Sequence, residues 1–443
     1  MEEQISTDQV AFLGSVATVL HGNGQQTGET MRTVARLAGR FGGDMLVLPG
    51  WGAMLLKPLT GTAAAGDVMA VTPNNVAINR VAAATALAED VIAGRIGVAA
   101  ARGRIGAVAI MPPVPTPLFA LACATGAAAL AVSFGVAHVA AVMLIFASAG
   151  LGGLVRRFIG RHGANGYAQA FAAALLAGLV GAASVHWHLS SDLRLIAVCP
   201  CMVLVPGPYL LNGTLDLLAN RIPLGAARLL FAAVTLAAIS AGLLIGLTLC
   251  GVGLPAAPAG RAVHGVAAVL AGAMAAACFS IFFSLPLRLV VWPVVAAMLA
   301  DAARWGAMTW WHASPAVGAG LAALVVGAVL TPVARRHHLP FAGIGFAAIV
   351  SLVPGVLVFR LFGGLVALQD AAPGTALGLL QATVSDGLTA SMVIAALTVG
   401  IVIPKHLFDA MTAAAGKRGQ AAGAVGTASM AGRQPERRAP DSK

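Results

Sequence analysis

Leu204-Val205-Pro206-Gly207 recurs as Leu352-Val353-Pro354-Gly355. The first copy lies in VLVPGPYLLNGTLDLLANR (residues 203–221) and the second in SLVPGVLVFRLFGGLVALQ (residues 351–369), 148 residues further on. Each interrupts a long apolar run. Proline lacks the backbone N–H and clashes with the preceding turn, which costs ~3 kcal/mol or more inside a helix. Either each pair is a tolerated kink, or each marks a discontinuous helix whose freed backbone groups face a ligand near the bilayer midplane. Repetition at matching places favours the second reading.

Of the 443 residues, 59% are hydrophobic and 10% charged, with mean hydropathy +0.88. A soluble domain carries roughly 25% charged residues. The apolar residues also fall in runs of about 20, the length that crosses a bilayer. An α-helical polytopic membrane protein is therefore expected, multi-pass in the lipid bilayer. The start, MEEQISTDQV, lacks the basic and apolar regions of a cleaved leader, so the first hydrophobic span is expected to target the protein. The five cysteines (Cys123, Cys199, Cys201, Cys250, Cys278) have no metal-type spacing and read as small buried hydrophobes; no metal and no cofactor is expected. Much of the net charge of +11 sits beside spans and in Lys417–Lys443, where basic residues set topology, so nucleic acid is not an expected partner.

Residues 1–114 carry charge at ordinary density and read as a small cytoplasmic α/β domain. Helical periodicity covers Gln9–Leu20 and Thr27–Arg40; the β-prone runs DMLVLPG, GAMLLKPL and DVMAVT follow, then helices over Val76–Ala93 and Val98–Ile105. MPPVPTP (Met111–Pro117) is a stiff boundary. About ten spans come next, near 116–134, 136–155, 169–187, 193–213, 227–249, 262–286, 288–310, 315–334, 340–362 and 376–404. They divide into two five-helix membrane repeats, 115–250 and 262–404. The 148-residue offset puts both LVPG copies in the fourth span of a repeat and superposes Arg156 on Arg304 near the end of the second. Five is odd, so the second repeat enters the membrane inverted, as in many secondary transporters. On one side of such a topology lie Arg156/Arg157/Arg161, Arg221/Arg228, Arg288, Arg335/Arg336 and Lys405/Lys417/Arg418, against Arg194, Arg261, Arg304 and Arg360 on the other. That asymmetry predicts cytoplasmic N- and C-termini. Residues 416–443, rich in Ala, Gly, Arg and Pro, read as a disordered basic tail.

Candidate site residues follow from what a membrane tolerates. Pro206, Gly207, Pro354 and Gly355 come first, for backbone groups that hold substrate. Three carboxylates stand in or near spans: Asp216, Asp301 and Asp386. A charge at a helix centre costs about 2.5–3.5 kcal/mol on insertion scales and usually faces a cavity or a partner. Asp301 and Arg304 share a helix face at i,i+3, which makes an ion pair the plain reading and proton coupling the sharper one. Asp386, in TVSDG, has no partner nearby in sequence and is expected to couple protons or bind substrate. Asn212 lies one turn before Asp216, and Arg360 follows the second break; both are candidate substrate contacts. A Walker A loop and a GxSxG elbow are absent. A membrane-bound hydrolase is disfavoured, because the first 114 residues hold His21 as their one histidine and no nucleophile–base pair.

Several stretches resemble the threonine/serine exporter family: VTPNNVAINRVAAATALAEDVIAGRIGVAAARGRI with Pro112-Pro113, FGVAHVAAVMLIFASAGLGGLVRRFI, LVPGPYLLNGTLDLLANRIPLGAARL and SLVPGVLVFR. Pro206, Gly207, Asn212, Asp216, Gly225 and Arg228 stand at family-like places, whereas VAAARGRI lacks the acidic residue or two expected there. In that family a cytoplasmic domain precedes ten spans, and related two-component forms are associated with succinate export. The resemblance implies a secondary active exporter of threonine and serine in the bacterial cytoplasmic (inner) membrane, driven by the proton motive force. The alternative is an exporter of dicarboxylates such as succinate, which would want an uncompensated cation at Arg304 or Arg360. Neither is an enzyme, and a homo-oligomer is compatible with both.

Overall fold

The computed structural model describes residues 5–59, 66–73, 76–136, 138–188, 193–253 and 263–431. The N-terminal domain opens with α1 (Thr7–Gly22), held by a capping box in which the Ser6 hydroxyl accepts from the Gln9 N–H and the Gln9 side chain accepts from the Ser6 N–H. α2 (Thr27–Arg40) follows. β1 (Met45–Pro49), β2 (Ala53–Pro58) and β3 (Asp67–Ala70) then form an antiparallel sheet in the order β1-β2-β3. Strand alternation sends Met45 and Val47 inward and Leu46 and Leu48 outward. α3 (Ile78–Ile92) and α4 (Val98–Ala109) complete the domain, whose core joins Phe12, Leu13, Leu37, Met54, Leu56 and Leu87. The expected helices and strands are all present within a few residues of their anticipated limits.

The membrane part begins with α5 (Thr116–Ser133), α6 (Val139–Arg161), α7 (Gly166–His186), α8 (Leu193–Met202), α9 (Gly207–Leu218) and α10 (Ile222–Thr248). It continues with α11 (Gly265–Phe282), α12 (Val291–Trp310), α13 (Pro315–Arg336), α14 (Phe341–Ile349), α15 (Gly355–Ala367) and α16 (Pro373–Ala431). Among the described residues seven helices are long and apolar enough to cross a membrane, or nine if each bent pair is one span. α12 is 20 residues long but carries Asp301 and Arg304 and falls outside that set. α16 continues to Ala431, so 416–431, expected as disordered tail, has helical backbone; 432–443 lie outside the described residues.

Two spans are broken. α8 and α9 meet at 55°, and α14, extended by a 3₁₀ turn at Val350–Leu352, meets α15 at 70°. Both breaks fall at LVPG and have the same backbone. Pro206 has φ −82°, ψ 55° and Pro354 has φ −80°, ψ 48°. In each the following glycine N–H donates back to the valine carbonyl: Gly207 to Val205 at 2.9 Å, Gly355 to Val353 at 2.8 Å. This is an inverse γ-turn centred on proline.

Helix neighbours recur in the two halves. α5 packs on α6, α6 on α7, α7 on α8 and α10, and α9 on α10; likewise α11 packs on α12, α12 on α13, α13 on α14 and α16, and α15 on α16. Across the middle α9 meets α14 and α16, while α15 meets α8 and α10. The first helices of the halves pair with each other and run antiparallel: Phe119 stacks on Phe282 at 4.9 Å, while Gly126, seven residues on, faces Cys278. The end of α11 meets the N-terminal domain, where the Ile78 N–H donates to the Phe283 carbonyl and the Val114 N–H to the Ser284 hydroxyl.

Candidate functional site

The first break uses up its own amides. Pro206 and Pro208 have none, Gly207 donates to Val205, and Tyr209 donates to the Pro206 carbonyl at 3.1 Å. No N–H is left there for a carboxylate. What the break frees is acceptors. The carbonyl of Leu204 would be bonded by residue 208, which is proline, and that of Val203 by Gly207, whose N–H is turned back. At the second break Gly355 donates to Val353, and Val358 to Pro354.

The intramembrane charges occupy three places. Asp301 is buried on α12 and accepts from the Ser351 hydroxyl at 3.1 and 3.2 Å, immediately before the second break. Gly272 makes room for it; a methyl group there would lie 1.6 Å from a carboxylate oxygen. Gly272 is the eighth residue of the 18-residue α11, so Asp301 meets α11 near its middle. No ion pair joins it to Arg304 among the described residues. Asp386, which has no partner nearby in sequence, stands 2.8 Å from the Arg360 guanidinium in an ion pair between α16 and α15. The pairing joins residues 26 positions apart, beyond the reach of a local pattern. It also compensates Arg360 as a cation.

Asp216 lies at the docking surface of the N-terminal domain rather than beside a break. It pairs with fully buried Arg228 at 3.1 Å and with Arg221 at 3.4 Å, and accepts from the Thr27 hydroxyl at 2.9 Å. Asn212, one turn earlier, donates to the Gly24 carbonyl at 3.2 Å. His21 belongs to the same surface. Burial, then the nearby Arg228 charge, push its imidazole down to about 4, against the opposite pull of a contact with the Gly50 carbonyl at 3.2 Å. The ring is neutral at pH 7 and donates through Nε2.

A cavity of about 290 Å³ opens beside the first break, against Val203–Pro206. Tyr209, Thr235, Gln169 and Phe231 line it, and Arg156 reaches in from α6. Arg156 stands near the end of the second expected span, and its Nε and Nη1 are buried and have no hydrogen-bond partner. The guanidinium carbon lies instead 5.3 Å from the centre of the Phe282 ring and 5.9 Å from that of Phe119, within cation–π range. Its neighbour Arg157 covers Phe119 at 4.2 Å and donates to the Val114 carbonyl. The one sequence signal for Arg156 was its register with Arg304.

The profile described as "putative threonine/serine exporter" matches residues 11–250, and that described as "threonine/serine exporter, ThrE" matches residues 268–407. This chain belongs to the threonine/serine exporter family. Two matches in tandem make it the fused form, with both family segments on one polypeptide. No curated protein and no solved structure matches at a significant level. The first segment spans the N-terminal domain and helices α5–α10, so it contains the whole Asp216–Arg228–Thr27 contact and most of the lining of the cavity at Arg156, which Phe282, Phe283 and Ser284 of the second segment complete. The second contains Asp301, Ser351 and the Arg360–Asp386 pair.

Proposed function

We propose that the chain is a secondary active exporter of threonine and serine across the bacterial cytoplasmic membrane, driven by the proton motive force. The observation that carries it is the pair of like-built breaks at Pro206 and Pro354, in an exporter family, with a cavity at the first and a buried carboxylate at the second. Recurring helix neighbours and the antiparallel α5 and α11 support two inverted five-helix repeats, with α12 as the tenth crossing. The basic residues support cytoplasmic termini. Asp301 is the proton carrier of this scheme. It meets α11 near the middle of that helix, and its hydrogen-bond partner Ser351 lies three residues before Pro354, so gain or loss of a proton is felt at the break. A dicarboxylate substrate is less well supported, because Arg360 is already paired.

The test is efflux from proteoliposomes loaded with labelled threonine, serine or succinate under an imposed pH gradient. Efflux of threonine and serine that collapses with the gradient is the expected result. Succinate efflux without either amino acid would reverse the substrate assignment.

A further inference from the structure

The export proposal leaves open how one molecule is held, and the cavity at the first break carries an answer that rests on that proposal. We infer that this cavity binds the zwitterionic backbone of an α-amino acid, with Arg156 on its carboxylate and the carbonyls of Val203 and Leu204 on its ammonium group.

The cationic half of the site is the guanidinium of Arg156. Arg156 lies within apolar α6, and Nε and Nη1 are buried without a partner. A buried, unsatisfied charged donor is costly, so a group of this kind is normally paired. Phe282 and Phe119 lie 5.3 and 5.9 Å from the guanidinium carbon and offer it no acceptor, and a guanidinium that lines a cavity is a match for the two oxygens of a carboxylate. The nearby arginines are otherwise engaged. Arg157 donates to the Val114 carbonyl and Arg80 to the Met111 carbonyl.

The other half follows from the sequence Pro206-Gly207-Pro208. Two prolines and a γ-turn remove every amide that would have bonded the carbonyls of Val203 and Leu204, which therefore accept no hydrogen bond among the described residues. Val203 and Leu204 line the same cavity as Arg156. Free carbonyls are acceptors only, so they attract an ammonium group and repel a second carboxylate. One unpaired guanidinium beside two unpaired carbonyls fits a zwitterion and disfavours a dianion. The hydroxyls of Tyr209 and Thr235 offer partners for a hydroxylated side chain. The volume, about 290 Å³, lies at the small end of the ~300–1,000 Å³ seen for small-molecule sites.

The experiment measures binding to the full-length protein in detergent, separately from transport. L-Threonine is compared with threonine methyl ester, which lacks the carboxylate, with 3-hydroxybutyrate, which lacks the ammonium group, and with succinate. Each analogue should bind the wild-type protein about tenfold more weakly than threonine, or worse, because each forfeits a charge-assisted hydrogen bond. Arg156→Gln should lose at least about tenfold in threonine affinity at an unchanged melting temperature. Arg156→Lys should recover part of the loss, since it restores charge without the fork. Threonine binding that survives Arg156→Gln, or succinate or the ester binding as tightly as threonine, overturns the inference. If Arg156→Gln does not fold, the analogue series on the wild-type protein decides alone. Wild-type binding of threonine without gradient-driven efflux would sink the export proposal and leave the binding site standing; efflux indifferent to Arg156→Gln would do the reverse.

Discussion

The two LVPG glycines have the same backbone but unequal neighbours, so the same substitution should give unequal results. A methyl group on Gly207 would lie 1.7 Å from Cε2 of Phe346, with two further ring atoms at 2.0 and 2.1 Å. Carbon atoms rest at about 3.5–4.0 Å, so the ring or the break must retreat by roughly 2 Å. The ring has little room. Phe346 is 2% exposed and is flanked edge-on by Phe279 at 6.1 Å and Phe283 at 6.2 Å. Overpacking of this kind costs about 1–3 kcal/mol, and three aromatic atoms inside the contact distance place Gly207→Ala at the upper end. At Gly355 the nearest atoms are Cε and Cγ of Met202, both at 3.1 Å. They belong to a flexible thioether chain that yields by a rotamer change, so Gly355→Ala should cost less than about 1 kcal/mol. Neither glycine is held at positive φ, which leaves sterics as the whole difference. Thermal unfolding in detergent should show a clear loss for Gly207→Ala and a small one for Gly355→Ala, with threonine efflux following the same order. Phe346→Leu should restore much of the loss in the Gly207→Ala background, because it removes the ring atoms that clash. Equal melting temperatures for the two alanine variants, or no recovery with Phe346→Leu, would refute the reasoning.

Asp301→Asn keeps an acceptor for Ser351 but cannot lose a proton. It should abolish gradient-driven efflux while sparing threonine exchange between equal pools, and retained response to a pH jump would remove Asp301 from the proton path. Replacing Asp386 alone by leucine leaves the partly buried Arg360 without this counter-ion and should destabilise by up to about 3 kcal/mol, whereas the double variant Arg360→Met/Asp386→Leu should recover most of that; loss of pH-coupled efflux in a well-folded double variant would show the pair to be functional rather than structural. The docking of the N-terminal domain should weaken in acid. His21 is held at about 4, below its ordinary 6.5, so the unfolded chain binds more protons between those values. The contribution is complete above about pH 6.5 and is lost as pH falls towards 4, by up to about 3 kcal/mol. Limited proteolysis against pH should show this dependence, and His21→Gln should flatten it; an unchanged profile in that variant would rule His21 out as its source.

The two breaks were legible because a helix cannot hide Pro-Gly, and the small domain was legible because β1 and β2 alternate and α2 carries one apolar face. The roles of the buried charges were not. Asp216 lies ten residues after Pro206 and reads as part of the same site, yet Thr27, 189 positions earlier, holds its carboxylate. Arg360 and Asp386 read as two separate functional charges because their partnership depends on how α15 folds back along α16. Arg156 looked like a topology signal near a span end. What distinguishes it is that its nitrogens are buried and unpaired, a property of packing that no local pattern carries. The failures therefore share a cause: sequence places a charge on an element, but only tertiary contact says whether another charge has already claimed it.

The residue after each LVPG shows how a repeated shape acquires different chemistry. Both breaks turn their glycine amide back on a valine carbonyl, so the γ-turn itself offers no donor. After Gly207 comes Pro208, which removes the next amide and leaves Leu204 without a donor four residues on. After Gly355 comes Val356, which keeps its N–H and can satisfy the equivalent carbonyl of Leu352. The first break is accordingly the richer in unpaired acceptors, and it is the one beside the unpaired guanidinium of Arg156. The second instead has Ser351 bonded to the carboxylate of Asp301. On the proposed function, two like folds of the backbone would separate the tasks that a proton-coupled exporter of zwitterions must combine, with substrate at the first break and the proton at the second.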